Sequence, residues 1–263
     1  MSRATVPALI EDMIAAARAK QPDRPALIGV AGAQGSGKTT AVEALTHANA
    51  RYAQFSIDDV YFDTAQRAAF AARTHPLFVT RGPPGTHDIA LARATIDALT
   101  NAGPDTATPL PRFDKIADRL RPREAWPLFR GRPEAILIDA WCLGALPPAG
   151  VGAPLNPVEE EDGDGVWRRT QDDLLRGAYG DWFASFDAML YLRPPSWEIV
   201  RRWRGQQEVT LRKRTLTADE EAWIDRFIMH YERITRSMMD GRHSAAIAVQ
   251  LDEARNIERI ERR

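Results

Sequence analysis

Gly32-Ala33-Gln34-Gly35-Ser36-Gly37-Lys38-Thr39 follows the apolar run Ala26-Leu27-Ile28-Gly29-Val30-Ala31 and leads into a stretch of helical character, Thr39 to about Asn49. A strand, a glycine-rich turn and a helix opening on Lys-Thr make the P-loop pattern in the context it requires. Successive backbone N–H groups at such a turn point into one concavity, and the helix N-terminus adds partial positive charge, so the place suits a polyphosphate. Glycine serves where the chain bends sharply and its backbone must touch a ligand. The nucleotide-binding candidates are therefore Gly32, Ala33, Gln34, Gly35, Ser36, Gly37, Lys38, Thr39 and Thr40. Lys38 is placed to reach the β- and γ-phosphates as a point charge, and the Thr39 hydroxyl to ligate Mg²⁺. A dinucleotide fingerprint is excluded, because Thr40 stands where its third glycine belongs.

The totals fit this reading. At 263 residues, with 44% hydrophobic and 27% charged residues, the chain has room for one α/β unit with insertions. A net charge of −1 argues against nucleic acid as the partner. The single cysteine, Cys142, excludes an internal disulfide framework and fits a reducing compartment. No apolar run approaches the ~20 residues of a membrane span, and the N-terminus lacks an apolar signal core. The expectation is a cytoplasmic protein acting on a small molecule, with ATP and Mg²⁺.

Outward from the P-loop, Val6, Leu9, Ile10, Met13, Ile14 and Ala17 share one helical face, and Pro22 and Pro25 end that helix. Tyr52-Ala53-Gln54-Phe55-Ser56-Ile57 reads as a second strand running into Asp58-Asp59, and Asp88 as the N-cap of a helix over Ile89–Thr100. Residues 101–132 read mostly as loop. Ala135-Ile136-Leu137-Ile138-Asp139 is a buried-strand pattern ending in a carboxylate. The acidic run Glu159-Glu160-Glu161-Asp162-Gly163-Asp164 lacks EF-hand spacing and reads as a solvated loop. Residues 171–183 and 196–213 read as helices flanking the strand Ala188–Leu192, and Thr217-Ala218-Asp219-Glu220 is a capping box. The stripe Trp223, Phe227, Ile228, Tyr231 and Ile234 reads as core. A last strand, Ala246–Leu251, precedes a charged tail. Strands alternating with helices predict a parallel sheet covered on both faces, in one P-loop kinase domain over residues 1–263 with a small helical, arginine-rich lid at about 193–216.

Ligands of open parallel sheets sit beyond the carboxyl ends of the strands. Two strands deliver acids there: Asp58 and Asp59 from one, Asp139 from the other. One acid can accept the proton of an attacking hydroxyl while another holds Mg²⁺, which makes Thr39, Asp58 and Asp139 the metal candidates. Of Arg204, Arg212 and Arg214, at least one is expected to neutralise charge during phosphoryl transfer, and Arg204 is the catalytic candidate beside Lys38 and Asp58. Guanine-reader, ABC-transporter and helicase motifs are absent, which leaves a small-molecule kinase.

Ser56-Ile57-Asp58-Asp59-Val60-Tyr61 resembles the S-x-D-D-F-Y stretch of the uridine kinase and phosphoribulokinase group. Within that group the chain is most like plant-type D-glycerate 3-kinases and their bacterial relatives. Arg81-Gly82 with Gly85-Thr86-His87-Asp88 resembles R-G-x-x-G-T-H-D, and Pro111-Arg112-Phe113-Asp114-Lys115 resembles P-x-Y/F-D-K. Asp139-Ala140-Trp141-Cys142-Leu143-Gly144 resembles E-G-W-M-L-G, Trp203-Arg204-Gly205-Gln206-Gln207-Glu208 resembles W-R-L-Q-A-E, and Asp252-Glu253-Ala254-Arg255-Asn256 resembles D-E-x-R-N-P.

The resemblance implies Asp58 as general base and Asp139 at a Mg²⁺-associated position that is Glu in the family. It also implies an acceptor pocket drawn from Asp59, Tyr61, His87, Asp88, Asp114 and Lys115. A glycerate carboxylate would need a cation, for which Lys115 and Arg119 are the candidates. Here the family's Glu-Gly is Asp139-Ala140, and the segment after the F-D-K motif is contracted to Ile116-Ala117-Asp118-Arg119. Both departures touch the metal and acceptor sides. The acceptor alternatives are a nucleoside, pantothenate or a sugar phosphate, and the non-enzymatic alternative is an ATP-binding regulatory protein.

Overall fold

The computed structural model describes residues 4–148 and 150–263. Helix α1 (Val6–Lys20), capped by the Thr5 hydroxyl, leads to β1 (Ala26–Gly32) and, through the glycine turn, to α2 (Lys38–Ala48). Strand β2 (Tyr52–Ser56) runs into a 3₁₀ turn at Ile57–Val60, followed by α3 (Thr64–Arg73) and α4 (Ile89–Thr100). Asp88 caps α4 by accepting from Leu91 N–H. Residues 101–132, expected as loop, carry two small antiparallel ribbons. One pairs β3 (Ala107–Pro109) with β6 (Leu128–Arg130), and inside it β4 (Phe113–Asp114) pairs with β5 (Arg119–Leu120).

Strand β7 (Ala135–Ala140) is followed by α5 (Pro157–Glu160), α6 (Val166–Arg176) and α7 (Ala178–Phe183), the expected helix over 171–183 being split at Gly177. Then come β8 (Ala188–Arg193), α8 (Trp197–Arg212), α9 (Ala218–Met239) and β9 (Ile247–Leu251). The Thr217–Glu220 capping box opens α9 as expected. The charged tail is β10 (Ile257–Arg262), an antiparallel edge strand.

The six-stranded sheet has the order β10-β9-β8-β1-β7-β2 and is parallel except for β10. β1 and β7 are buried at every position, as strands covered on both faces must be. On one face Ile28, Val30, Leu137, Leu190 and Val249 pack with Leu9, Ile10 and Met13 of α1 and Val42 of α2. On the other, Leu27, Ala31, Phe55, Ile136 and Ile138 meet Ile96 and Leu99 of α4, Trp182 of α7 and Ile234 of α9. Among the described residues no helix is long and apolar enough to cross a membrane.

Two expectations are corrected. The acidic loop is not solvated throughout: Glu159 and Asp162 are buried, Glu159 on Arg233 and Asp162 on Arg168. Asp162 also accepts the N–H groups of Trp167 and Arg168 at 2.8 and 3.1 Å, so it seats the start of α6. The α9 stripe is also more than core. Trp223 is half exposed, while Phe227 and Tyr231 reach a large cleft on the sheet's carboxyl edge.

Helix α8 lies directly on the glycine turn. Gly35 has φ +74°, and a Cβ there would sit 2.7 Å from Trp203 Cβ and 2.9 Å from the Trp203 carbonyl. The glycine is demanded by a neighbouring helix backbone as well as by any ligand. Left-handed strain and overpacking add, so Gly35→Ala is expected to cost about 2 kcal/mol or more. A thermal melt is expected to fall by roughly 5 °C. An unchanged melting temperature would show that α8 is not seated on the loop.

Candidate active site

Because the strands are parallel, the ends of β1, β2 and β7 open on one edge, where a cleft of about 1260 Å³ lies. Gln34 to Thr40 line it. Gly37, at φ +92°, is the N-cap of α2; it offers no capping side chain, and the first turn holds no acid. The orphan N–H groups of that turn are left for an external anion. Lys38 Nζ donates to the Ala33 carbonyl at 3.2 Å, folding back over the loop. Burial lowers the Lys38 pKa, against the pull of Asp139 and Asp58.

β7 lies between β1 and β2, in a register that sets Asp139 beside Val30 and Ser56. Thr39 Oγ1 donates to Asp139 Oδ2 at 3.0 Å, and Ser56 Oγ to the same oxygen at 3.2 Å. Burial pushes the Asp139 carboxyl up to about 6, with Asp58 adding and Lys38 and Thr39 opposing. Two hydroxyls and a buried carboxylate are the hard oxygen donors that Mg²⁺ takes, so Thr39 and Asp139 fit such an ion.

The 3₁₀ turn after β2 presents the second acid. Asp58 accepts from Lys115 Nζ and from the Tyr61 hydroxyl, each at 2.6 Å. Burial would raise the Asp58 carboxyl, but Lys115 and Tyr61 outweigh it and hold the group below the ordinary carboxylate range. Asp59 instead accepts from Ser56 N–H at 2.9 Å, closing the turn's capping box, and from Arg112 at 3.0 Å. Asp58, Asp59, Tyr61 and Lys115 all line the cleft with the glycine turn and Asp139.

Four acceptor candidates lie outside the cleft wall. His87 is buried beneath Tyr61, stacked on it at 4.7 Å, with Nδ1 2.7 Å from the Tyr179 hydroxyl. Burial drops its pKa to about 3 against the pull of Asp58, so it is neutral at physiological pH. Asp88 is spent on the α4 cap, and Asp114 on the N–H groups of Ile116 and Ala117. Arg119 is exposed in β5, opposite Asp114. Gly32 and Ala33 also stand behind the wall rather than in it.

Among the three arginines, Arg204 alone reaches the cleft. It is held by Gln207 at 3.0 Å and by Glu208, with its guanidinium 5.4 Å from the Phe227 ring. Arg212 and Arg214 are tied to Glu220 at the α8–α9 junction and do not line the cleft, although Arg212 also pairs with Glu208, the carboxylate that holds Arg204. Residues 193–216 thus comprise α8 and its ends, with α8 packed along α9.

The cleft also holds residues that sequence reasoning passed over. Arg81, paired with Asp118, and Arg112 belong to motifs already quoted, so a signal for them existed. Trp141 donates to the Gly82 carbonyl at 3.0 Å and Tyr231 to the Arg81 carbonyl at 3.0 Å, fixing the segment that carries Arg81. Arg255 enters from the turn between β9 and β10.

No family model matches the chain. It is 29% identical over 272 residues to a protein of Arabidopsis thaliana named D-glycerate 3-kinase, chloroplastic, covering 94% of this chain and 58% of that protein. It is 28% identical over 244 residues to an uncharacterised kinase of Schizosaccharomyces pombe, covering 85% of each. The chain thus spans little more than half the length of the plant relative. The solved structure of D-glycerate 3-kinase from Cryptococcus neoformans superposes with a TM-score of 0.75 at 19% identity, covering 99% of this chain and all of that one. By sequence the chain is a relative of proteins named as kinases, D-glycerate 3-kinase among them, and its α/β fold is that of the P-loop kinases.

Proposed function

We propose that this chain is an ATP-dependent kinase that phosphorylates a hydroxyl of a small carboxylate-bearing metabolite, D-glycerate at O3 being the best candidate. The observation that carries the reading is Asp58 held to Lys115 in the same cleft as Lys38, Thr39 and Asp139. A hydroxyl-directed base and a cation for an anionic acceptor thereby face the phosphate turn. The cleft exceeds the ~300–1,000 Å³ typical of one small ligand, leaving room for a nucleotide and an acceptor together. Both named relatives support kinase chemistry, and the plant one supports the acceptor.

In this reading the turn amides and Lys38 hold the triphosphate, and Thr39 with Asp139 holds Mg²⁺. When bound, that ion neutralises charge on the β- and γ-phosphate oxygens. Asp58 takes the acceptor hydroxyl's proton as the new O–P bond forms, and the bond to ADP's β-phosphate oxygen breaks in line. Lys115 binds the acceptor's carboxylate, with Arg81 and Arg112 adding positive charge beside it, and Arg204 faces the charge developing on the transferred group. Tyr61 and Asp59 shape the acceptor side, with His87 supporting Tyr61 from below. Asp88, Asp114 and Arg119 act on the acceptor only through the backbone they anchor.

A coupled ADP-release assay over an acceptor panel tests this. Release is expected with D-glycerate and not with uridine, pantothenate or a sugar phosphate. Release driven by a nucleoside would reject the carboxylate reading. ATP turnover indifferent to every acceptor would favour a nucleotide-binding regulatory protein.

A further inference from the structure

The turn Asp252–Asn256 joins β9 to β10 and is closed on itself. Asp252 N–H donates to the Asn256 carbonyl at 2.9 Å, and the Asp252 carboxylate accepts from Asn256 N–H and Nδ2 at 2.7 and 2.8 Å. The closure puts Arg255 at φ +69°, a left-handed conformation that costs a non-glycine residue about 1–2 kcal/mol. Strain of this kind persists where the surroundings enforce it, and it points toward function.

From that position the Arg255 guanidinium lies over the Trp203 ring at 4.8 Å, its Nε donates to the Gly35 carbonyl at 2.6 Å, and Nη2 donates to Gln206 Oε1 at 2.9 Å. The Trp203 indole N–H donates to the Glu253 carbonyl at 2.9 Å, fastening the same turn to α8. The Gly35 peptide is therefore gripped at the cleft wall by a residue 220 positions away. On the loop side Ser36 N–H closes the bend on the Ala33 carbonyl at 3.2 Å.

A peptide following a glycine flips easily, because no Cβ resists the change in ψ. Flipping this one would break the Ser36–Ala33 bond and swing a carbonyl oxygen toward the space where an anion needs N–H donors. A charge-assisted hydrogen bond to the Gly35 oxygen opposes that flip.

We propose that Arg255 is a positioning residue of the phosphate loop, holding the Gly35 carbonyl outward so that the loop stays shaped for a polyphosphate. The proposal rests on the phosphate-site reading above. Arg255 acts on the phosphates through Gly35 and has no part in acceptor recognition.

The test measures binding of ATP and of inorganic tripolyphosphate, which shares the phosphates and lacks a base, to wild type, Arg255→Met and Arg255→Lys. Arg255→Lys keeps charge and stem over Trp203 but loses the Nε donor, and it is decisive should Arg255→Met not fold. Both variants are expected to weaken both ligands about tenfold and by similar factors, with the acceptor KM unchanged and the melting temperature within a few degrees of wild type. Loss confined to ATP would overturn the proposal in favour of a contact with the base. Unchanged binding would overturn it outright. A loss of affinity that follows a large drop in melting temperature, with the acceptor KM rising too, would reduce Arg255 to a structural residue. Wild-type protein that binds neither ligand would remove the phosphate-site reading and this proposal together, whereas wild type that binds both, with unaffected variants, removes this proposal alone.

Discussion

Asp58→Asn is expected to lower kcat by about 10²–10⁴-fold, the usual contribution of a placed general base, while the Kd for ATP changes less than about threefold. Asparagine has the size of aspartate, and its Oδ1 still accepts from the Tyr61 hydroxyl that now donates to Asp58 at 2.6 Å. What disappears is a carboxylate able to take a proton, together with the ion pair to Lys115. Lys115 is 56% exposed, so that pair contributes about 1 kcal/mol or less to stability and its loss leaves the fold intact. Nucleotide affinity is held elsewhere, on the loop amides, Lys38 and Thr39. The measurement is acceptor-dependent ADP release beside equilibrium ATP binding. Full turnover in the variant would remove Asp58 as base, and a parallel collapse of ATP affinity would place it on the nucleotide or its metal instead.

The features legible in the sequence are those whose cause is local. The phosphate turn announces itself because amide geometry, glycine and Lys-Thr must be contiguous, and Asp58 and Asp139 follow because each ends a recognisable apolar run. Strand β10 is hidden in the sequence for a physical reason. As an edge strand it exposes Glu258 and Arg259 and buries only part of Ile257 and Ile260, so charges that discourage edge-to-edge pairing also mask the strand. Burial of Glu159 and Asp162 depends on Arg233 and Arg168, and a run of acids shows none of its partners. The three arginines are equivalent by sequence, yet Glu220 claims two of them and leaves Arg204 at the cleft. Arg119 is the natural second cation by proximity to Lys115, but its pairing opposite Asp114 leaves it exposed, while Arg112 at the start of the same ribbon and Arg81 from a distant segment line the cleft. Acceptor-side residues are thus assembled across the chain, where spacing in sequence carries little information.

Lys115→Met is expected to raise the KM for a carboxylate acceptor on the order of a hundredfold, with ATP binding unchanged. Lys115 is the first residue of the turn that joins β4 to β5, with its ammonium on Asp58. Arg81 and Arg112, the neighbouring cations, are already committed to Asp118 and Asp59. Lys115 is therefore the cation freest to change partner, since its stem is flexible and solvated. An arriving carboxylate competes with Asp58 for it. If the carboxylate wins, one exchange both binds the acceptor and releases the Asp58 oxygen to face the acceptor hydroxyl. Once the bound acceptor covers Lys115 the contact is a desolvated charge pair, and removing one partner of such a pair costs ~2–5 kcal/mol, which is the source of the expected KM. Methionine also leaves Asp58 without its cation from the start, so hydrolysis of ATP in the absence of acceptor is expected to stay level or rise. Lys115→Arg, which restores the charge, should recover most of the affinity. An acceptor KM unmoved in Lys115→Met would place the carboxylate on Arg81 or Arg112. A fall in acceptor-free hydrolysis together with ATP affinity would make Lys115 a nucleotide ligand, and the exchange at Asp58 would then have no role.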